Sequence, residues 1–113
     1  MNKTGLLVLA IIIVFSDSVR AQDGLMERGH AVYDKWCLPC HGDDPLNPGT
    51  IALGAKYKGR LPAVLAQRTD LTAEGIEQAV RHGISIMPFF RKTEIDDEEL
   101  RAMIFYLTRK RRE

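Results

Sequence analysis

One pair of cysteines constrains this chain more than anything else in it. Cys37 and Cys40 are the only two cysteines in 113 residues, they stand three positions apart, and His41 follows at once. A disulfide between them would close too short a loop to stabilise much, because that benefit grows with the length of chain enclosed. The rest of the sequence leaves only one small domain to be stabilised. Residues 1–21 have the plan of a cleavable export signal: Lys3 is a positive start, Leu6 to Phe15 is unbroken apolar sequence, and Val19-Arg20-Ala21 puts small residues where a signal peptidase reads. Cleavage is expected before Gln22, which leaves residues 22–113 as the mature domain. The apolar run is ten residues long, short of the roughly 20 that span a bilayer, so an uncleaved membrane anchor is the weaker reading. Exported domains this small usually add disulfides, a metal or a cofactor, and here a cofactor is the more plausible supplement.

Net charge names no partner. Removing Lys3, Arg20 and Asp17 from 16 basic and 15 acidic residues leaves 14 of each. That balance offers no basic excess for nucleic acid and no acidic tail.

Apolar spacing predicts helices throughout, and the fold class expected is all-α. Leu25, Gly29, Val32, Tyr33 and Trp36 share one face of a helix from about Gly24 to Trp36, with Asp23 as its cap. The sequence from Gly42 to Gly59 is loop-like, with a short helix open to Thr50–Lys56 and another to Leu61–Gln67, where Pro62 suits a first turn. Thr72 is an N-cap, Leu71 and Ile76 form a hydrophobic staple, Ile76, Ala79 and Val80 give the buried face, and Gly83 ends that helix. The last helix has Asp96 as cap, Glu99 as capping-box partner, an Ile95–Leu100 staple and an apolar stripe through Leu100, Met103, Ile104 and Leu107. No segment alternates with a period of two.

Cys37-Leu38-Pro39-Cys40-His41 is the attachment signal of a c-type haem. Two thiols three positions apart at a helix end reach the two vinyl groups of one porphyrin as thioethers, and the next imidazole falls under the iron. A thioredoxin-like redox pair would begin a helix after a strand, whereas this pair ends one. A structural zinc site wants four ligands, and only His30 and His82 remain to complete it, at spacings unlike those of a zinc finger.

With these residues the chain resembles a class I cytochrome c over nearly all of its mature length. The resemblance implies three main helices and short ones around one covalently bound haem c, held by Cys37 and Cys40. It implies His41 and Met87 as the axial iron ligands, Met87 preceding Pro88 as in the family's Met-Pro pair. Taken alone, a methionine in an apolar stretch is also core filler. Its place between a glycine-ended helix and a strongly capped one favours ligation, with His82 as the runner-up. The resemblance also implies a crossing of the first and last helices at Gly29 and Tyr33, facing Met103, Tyr106 and Leu107. It further implies a proline carbonyl accepting from His41, for which Pro48 is the candidate and Pro45 the second. Tyr57, Lys58 and Arg60 are open to two roles, neutralising the haem propionates or forming a solvated basic loop. His30 is expected to be solvated, Met103 to be core, and Met26 to be too near the attachment helix to serve as ligand. Asp96, Asp97, Glu98 and Glu99 at the start of the last helix and Arg109, Lys110, Arg111 and Arg112 at its end suit the helix dipole.

The function implied is single-electron transfer in the periplasm, not enzymatic catalysis, because two axial ligands leave the iron no open position. Redox proteins are the expected partners, with no nucleic acid and no stable membrane insertion. Arg68-Thr69-Asp70-Leu71-Thr72 and Met87-Pro88-Phe89-Phe90-Arg91-Lys92-Thr93-Glu94 are similar to small cytochromes that accompany flavin-dependent phenol-oxidising dehydrogenases of the cresol and eugenol hydroxylase kind. The chain is then a carrier or the electron-accepting subunit of a flavoprotein dehydrogenase. The alternative is a haem enzyme or gas sensor with Met87 in the core and an open distal face. It needs a polar pocket, and Ser85 is the one polar residue near Met87.

Overall fold

The computed structural model describes residues 3–109. Among these the chain forms five helices and no strand: α1 (Lys3–Trp36), α2 (Leu38–His41), α3 (Pro48–Tyr57), α4 (Ala73–His82) and α5 (Asp97–Arg109), with a 3₁₀ turn at Leu65–Gln67 between α3 and α4. Of the expected basic tail, only Arg109 falls within the described residues; Lys110, Arg111 and Arg112 lie outside them. Among the described residues no helix is long and apolar enough to cross a membrane.

Helix α1 ends where its pattern predicted, at Trp36, but begins at Lys3 and not at Gly24. Asp23 is therefore an interior residue, not a cap. A cap is required only where a helix starts and leaves its first N–H groups unpaired. Nothing upstream forces a start at Asp23, since a single Gly24 costs about 1 kcal/mol in a helix interior and does not break it. Residues 17–24 are all exposed. The second short helix is also smaller than expected, because Pro62 and its neighbours stay irregular and only Leu65–Gln67 coil.

The two best-signalled helices follow their local grammar. Thr72 Oγ1 accepts from the Gly75 amide to cap α4, and Gly83, at φ 72°, ends it. At α5 the capping box is complete: Asp96 Oδ1 accepts from the Glu99 amide (2.8 Å) and Glu99 Oε2 from the Asp96 amide (2.9 Å). Ile95 and Leu100, the staple residues flanking that cap, are both buried.

The core lies between α1, α4 and α5. Val32, Tyr33 and Cys37 from α1 and its end meet Ile76 and Val80 from α4, then Ile95, Leu100, Met103 and Leu107. Each such apolar side chain contributes on the order of 1.5–3 kcal/mol when fully buried. Packing is closest at Gly29, where an added Cβ would come within 2.6 Å of the Ala102 carbonyl carbon and 2.8 Å of Tyr106 Cβ. The crossing expected at Gly29 and Tyr33 is thus present, with Ala102 as the residue opposite the glycine. Tyr33 and Tyr106 meet beside it with ring centroids 5.6 Å apart. His30 is exposed as expected, yet it stacks on Tyr106 at 4.8 Å and approaches Asp34 at 3.4 Å.

Candidate functional site

The cysteine pair lies at the turn where α1 gives way to α2. The Cys37 amide still belongs to α1, donating to the Tyr33 carbonyl at 2.8 Å. The Cys37 carbonyl then accepts from the amides of both Cys40 (3.1 Å) and His41 (2.8 Å), which winds Cys37, Cys40 and His41 into one turn. Side chains from outside the turn hold it. Tyr33 Oη donates to the His41 carbonyl at 3.2 Å, Asn47 Nδ2 to the Pro39 carbonyl at 2.9 Å, and buried Thr50 Oγ1 to the Gly42 carbonyl at 2.6 Å. Three side chains, one from α1 and two from the start of α3, therefore fix the backbone that carries both thiols and the imidazole.

The two thiols differ in environment. Cys40 is exposed. Cys37 is buried, its Sγ 3.3 Å from Met103 Sδ, and burial, with a smaller contribution from Cys40, pushes its pKa up to about 12. Tyr33 is likewise pushed up to about 12, chiefly by burial, so its hydroxyl keeps the proton it donates to His41.

His41 is partly buried, and that burial lowers its pKa from the ordinary histidine value. The neutral imidazole that results is the form able to bind a metal. Its Nδ1 is buried and meets no hydrogen-bond partner among the described residues. The proline carbonyl expected there is not its acceptor. Pro48 opens α3, so its carbonyl is directed along the helix toward the amide four residues on. Gly49 covers the ring instead, close enough that an added Cβ would lie 2.7 Å from Nδ1 and 2.6 Å from Cε1.

Met87 occupies a separate segment between α4 and α5 and is half-buried. A tight turn presents it: the Met87 amide donates to the Ile84 carbonyl (2.9 Å) and the Ile84 amide to the Met87 carbonyl (3.2 Å), with Ser85 left-handed at φ 55°. Met103, expected in the core, is there at 1 % exposure. His82 ends α4 and is exposed. Among the described residues no group of three or more His, Cys, Asp or Glu side chains is arranged to hold a metal ion, and His30 and His82 are not gathered around the cysteines.

Exposed apolar side chains flank both the turn and Met87 along the chain. Leu38, Leu46 and Ile51 on the motif side and Ile84, Ile86 and Phe89 around Met87 are all exposed large apolar residues. An imidazole at His41 and a thioether at Met87 are donor types that haem iron takes, and two thiols are groups able to form thioether bonds to a porphyrin.

Of the candidate propionate partners, Lys58 and Arg60 are exposed, and Arg60 Nε donates to the Tyr57 carbonyl at 3.2 Å. Tyr57 belongs to a cluster that sequence reasoning did not resolve. Arg68, 5 % exposed, places its guanidinium 4.4 Å from the centre of the Tyr57 ring. It also donates through Nε and Nη2 to Asp70 at 2.7 and 2.6 Å. This cation holds the Tyr57 hydroxyl below its usual pKa. The only signal in the sequence was an arginine two positions before an aspartate, a spacing common on protein surfaces.

No curated protein and no solved structure matches the chain. A family model described as cytochrome c oxidase, cbb3-type, subunit III matches residues 24–107, from just after the expected cleavage point to the last turn of α5. The cysteine-histidine turn and the helices packed around it therefore belong to a haem-based electron-transfer protein, and the chain is a member of this family of class I c-type cytochromes.

Proposed function

We propose that this cytochrome binds one haem c covalently through Cys37 and Cys40, with His41 and Met87 as axial ligands, and transfers single electrons in the periplasm. The observation that supports the reading is the single backbone turn that carries Cys37, Cys40 and His41, with burial lowering the His41 pKa. Haem held in this way supplies a reversible ferrous–ferric couple, and a methionine ligand raises its potential. The chain's own contribution is to orient. Tyr33, Asn47 and Thr50 hold the turn, and Gly49 leaves room for the imidazole.

Residues 1–21 act as the export signal in this reading, and the mature chain begins at Gln22. Cleavage there would leave Asp23 close to a new helix start, where an N-cap is needed. Likeness of the segments 68–72 and 87–94 to the cytochrome partners of phenol-oxidising flavoproteins supports a flavoprotein dehydrogenase as electron donor.

Acid-acetone extraction of the native periplasmic protein tests the attachment. Haem should stay with the polypeptide, whose mass should equal residues 22–113 plus one haem. Haem released into the solvent, or a chain beginning at Met1 in the membrane fraction, contradicts the reading. The same periplasmic fraction, purified without dissociation, should yield a flavoprotein with the cytochrome. Its ferrous form should resist carbon monoxide, since an open distal face would bind it.

A further inference from the structure

The segment that carries Met87 has almost no regular structure, yet one side chain joins its far part to both flanking helices. Arg81, near the end of α4, donates through Nη1 to the carbonyls of Phe90 (3.2 Å) and Ile95 (2.8 Å) and through Nη2 to Asp97 Oδ1 (3.0 Å). Its side chain is only 14 % exposed. The neighbouring residue of α4 adds a fourth tie, with the Phe90 amide donating to the Val80 carbonyl at 2.7 Å. Both backbone groups of Phe90 are thereby held by consecutive residues of α4. The Phe90 ring in turn meets Trp36, the residue before Cys37, edge-on at 5.7 Å. Lys92 Nζ occupies the other carboxylate oxygen of Asp97 at 2.8 Å.

On the near side of Met87 the chain is tied down by its own turn. Gly83 has no room for a side chain, since an added Cβ would lie 3.2 Å from both the Phe89 amide nitrogen and the Pro88 carbonyl carbon. Met87 is thus three residues from the closed turn's start and three from Phe90. Releasing the Arg81 contacts loosens the far side, which keeps the Phe90–Val80 bond and the Trp36 contact, while leaving the near turn in place.

We propose that Arg81 is the positioning residue for Met87: by joining the Phe90 and Ile95 carbonyls to the Asp97 carboxylate, it sets how readily the Met87 sulfur withdraws from the iron. The proposal rests on the reading of Met87 as the distal ligand. Arginine suits the task because its planar fork of five donors spans separate acceptors at once, which a lysine ammonium cannot do with the same geometry.

Imidazole titration of the ferric holoprotein reads the effect directly. Added imidazole binds only when Met87 is off the iron, so its apparent affinity scales with the open population. Replacing Arg81→Met removes the three side-chain hydrogen bonds that tie α4 to Phe90, Ile95 and Asp97 and should tighten apparent imidazole binding by roughly ten- to a hundredfold. Arg81→Lys and Asp97→Asn, which each keep part of the network, should fall between that variant and wild type. Amide exchange at Phe90 should accelerate in the same order. Thr72→Ala is the control: it removes the α4 cap and lowers the melting temperature, but touches nothing around Met87 and should leave imidazole affinity at the wild-type value. Wild-type affinity in both Arg81→Met and Asp97→Asn, or an equal tightening in Thr72→Ala, overturns the proposal. A different result marks failure of the underlying reading. If the far-red sulfur-to-iron band of the wild-type ferric protein is missing, or survives Met87→Ala, Met87 is not the ligand and Arg81 has nothing to position.

Discussion

The Cys37 thiol lies 3.3 Å from the thioether sulfur of Met103, so the end of α1 and the middle of α5 meet through two buried sulfur atoms. Polarizable sulfur fills an irregular core gap well. The two methionines differ in position: Met103 is packed against the cysteine turn from the core side, while Met87 is carried on a turn between helices.

Met103→Ala should therefore destabilise the protein by about 2–5 kcal/mol, the usual cost of a buried methionine-to-alanine change. Denaturant unfolding measures it. The far-red ligand band should remain, and its loss would show that Met103 reaches the iron.

Two glycines of α1 should respond in opposite directions. At Gly29 an added methyl meets the Ala102 carbonyl and Tyr106 Cβ, and Gly29→Ala should cost roughly 1–3 kcal/mol through overpacking. At Gly24 nothing lies within 4 Å, so Gly24→Ala should be neutral or stabilise by at most about 1 kcal/mol through helix propensity. Paired melting curves of the two variants decide this. Equal effects would mean that α1 and α5 do not cross at Gly29.

Thr50 tests how the cysteine turn is held. Thr50→Val keeps the shape of the side chain but removes the donor to the buried Gly42 carbonyl. An unsatisfied buried carbonyl costs about 1–3 kcal/mol. Thr50→Ser should restore most of that loss in the same unfolding assay, since it returns the hydroxyl. Failure of serine to rescue would assign the effect to the lost methyl group.

Acid should weaken the region around Asp97 before the core. The Asp97 carboxyl is held below its usual range first by Lys92 and then by Arg81, and Glu94 by the Arg91 amide. A carboxyl whose folded pKa is depressed contributes stability above its unfolded pKa and loses it as pH falls through the folded value. Unfolding free energy should thus show no contribution to its slope from these groups near neutrality, then decline below about pH 4. Asp97→Asn should flatten part of that acid decline while lowering stability at pH 7. An unchanged acid limb would mean that these ion pairs are not formed in solution.

Much of the architecture was legible because its causes are local. A capping box needs residues three apart, and Asp96 with Glu99 supplied it. A buried helix face needs apolar side chains every three or four positions, and Val32, Tyr33, Ile76, Val80, Leu100, Met103 and Leu107 supplied those. The cysteine turn is equally local, since Cys37, Cys40 and His41 are joined by bonds to one carbonyl. The start of α1 was not legible, because Asp23 can cap a helix but nothing in its neighbourhood obliges one to begin there.

Sequence alone determined the chemistry available to this protein: two thiols and an imidazole on one turn, an all-helical frame and a methionine between two well-marked helices. Tertiary structure decided what surrounds them. The burial of Arg68 beneath Tyr57, the glycine covering His41 and the grip of Arg81 on the segment after Met87 left no pattern in the sequence. The physical reason is the nature of the partners. A ring face exposes the same surface wherever the chain places it, and the acceptors at Phe90 and Ile95 are backbone carbonyls, which every residue possesses. Only the packing of α4 against α5 brings those carbonyls to one guanidinium.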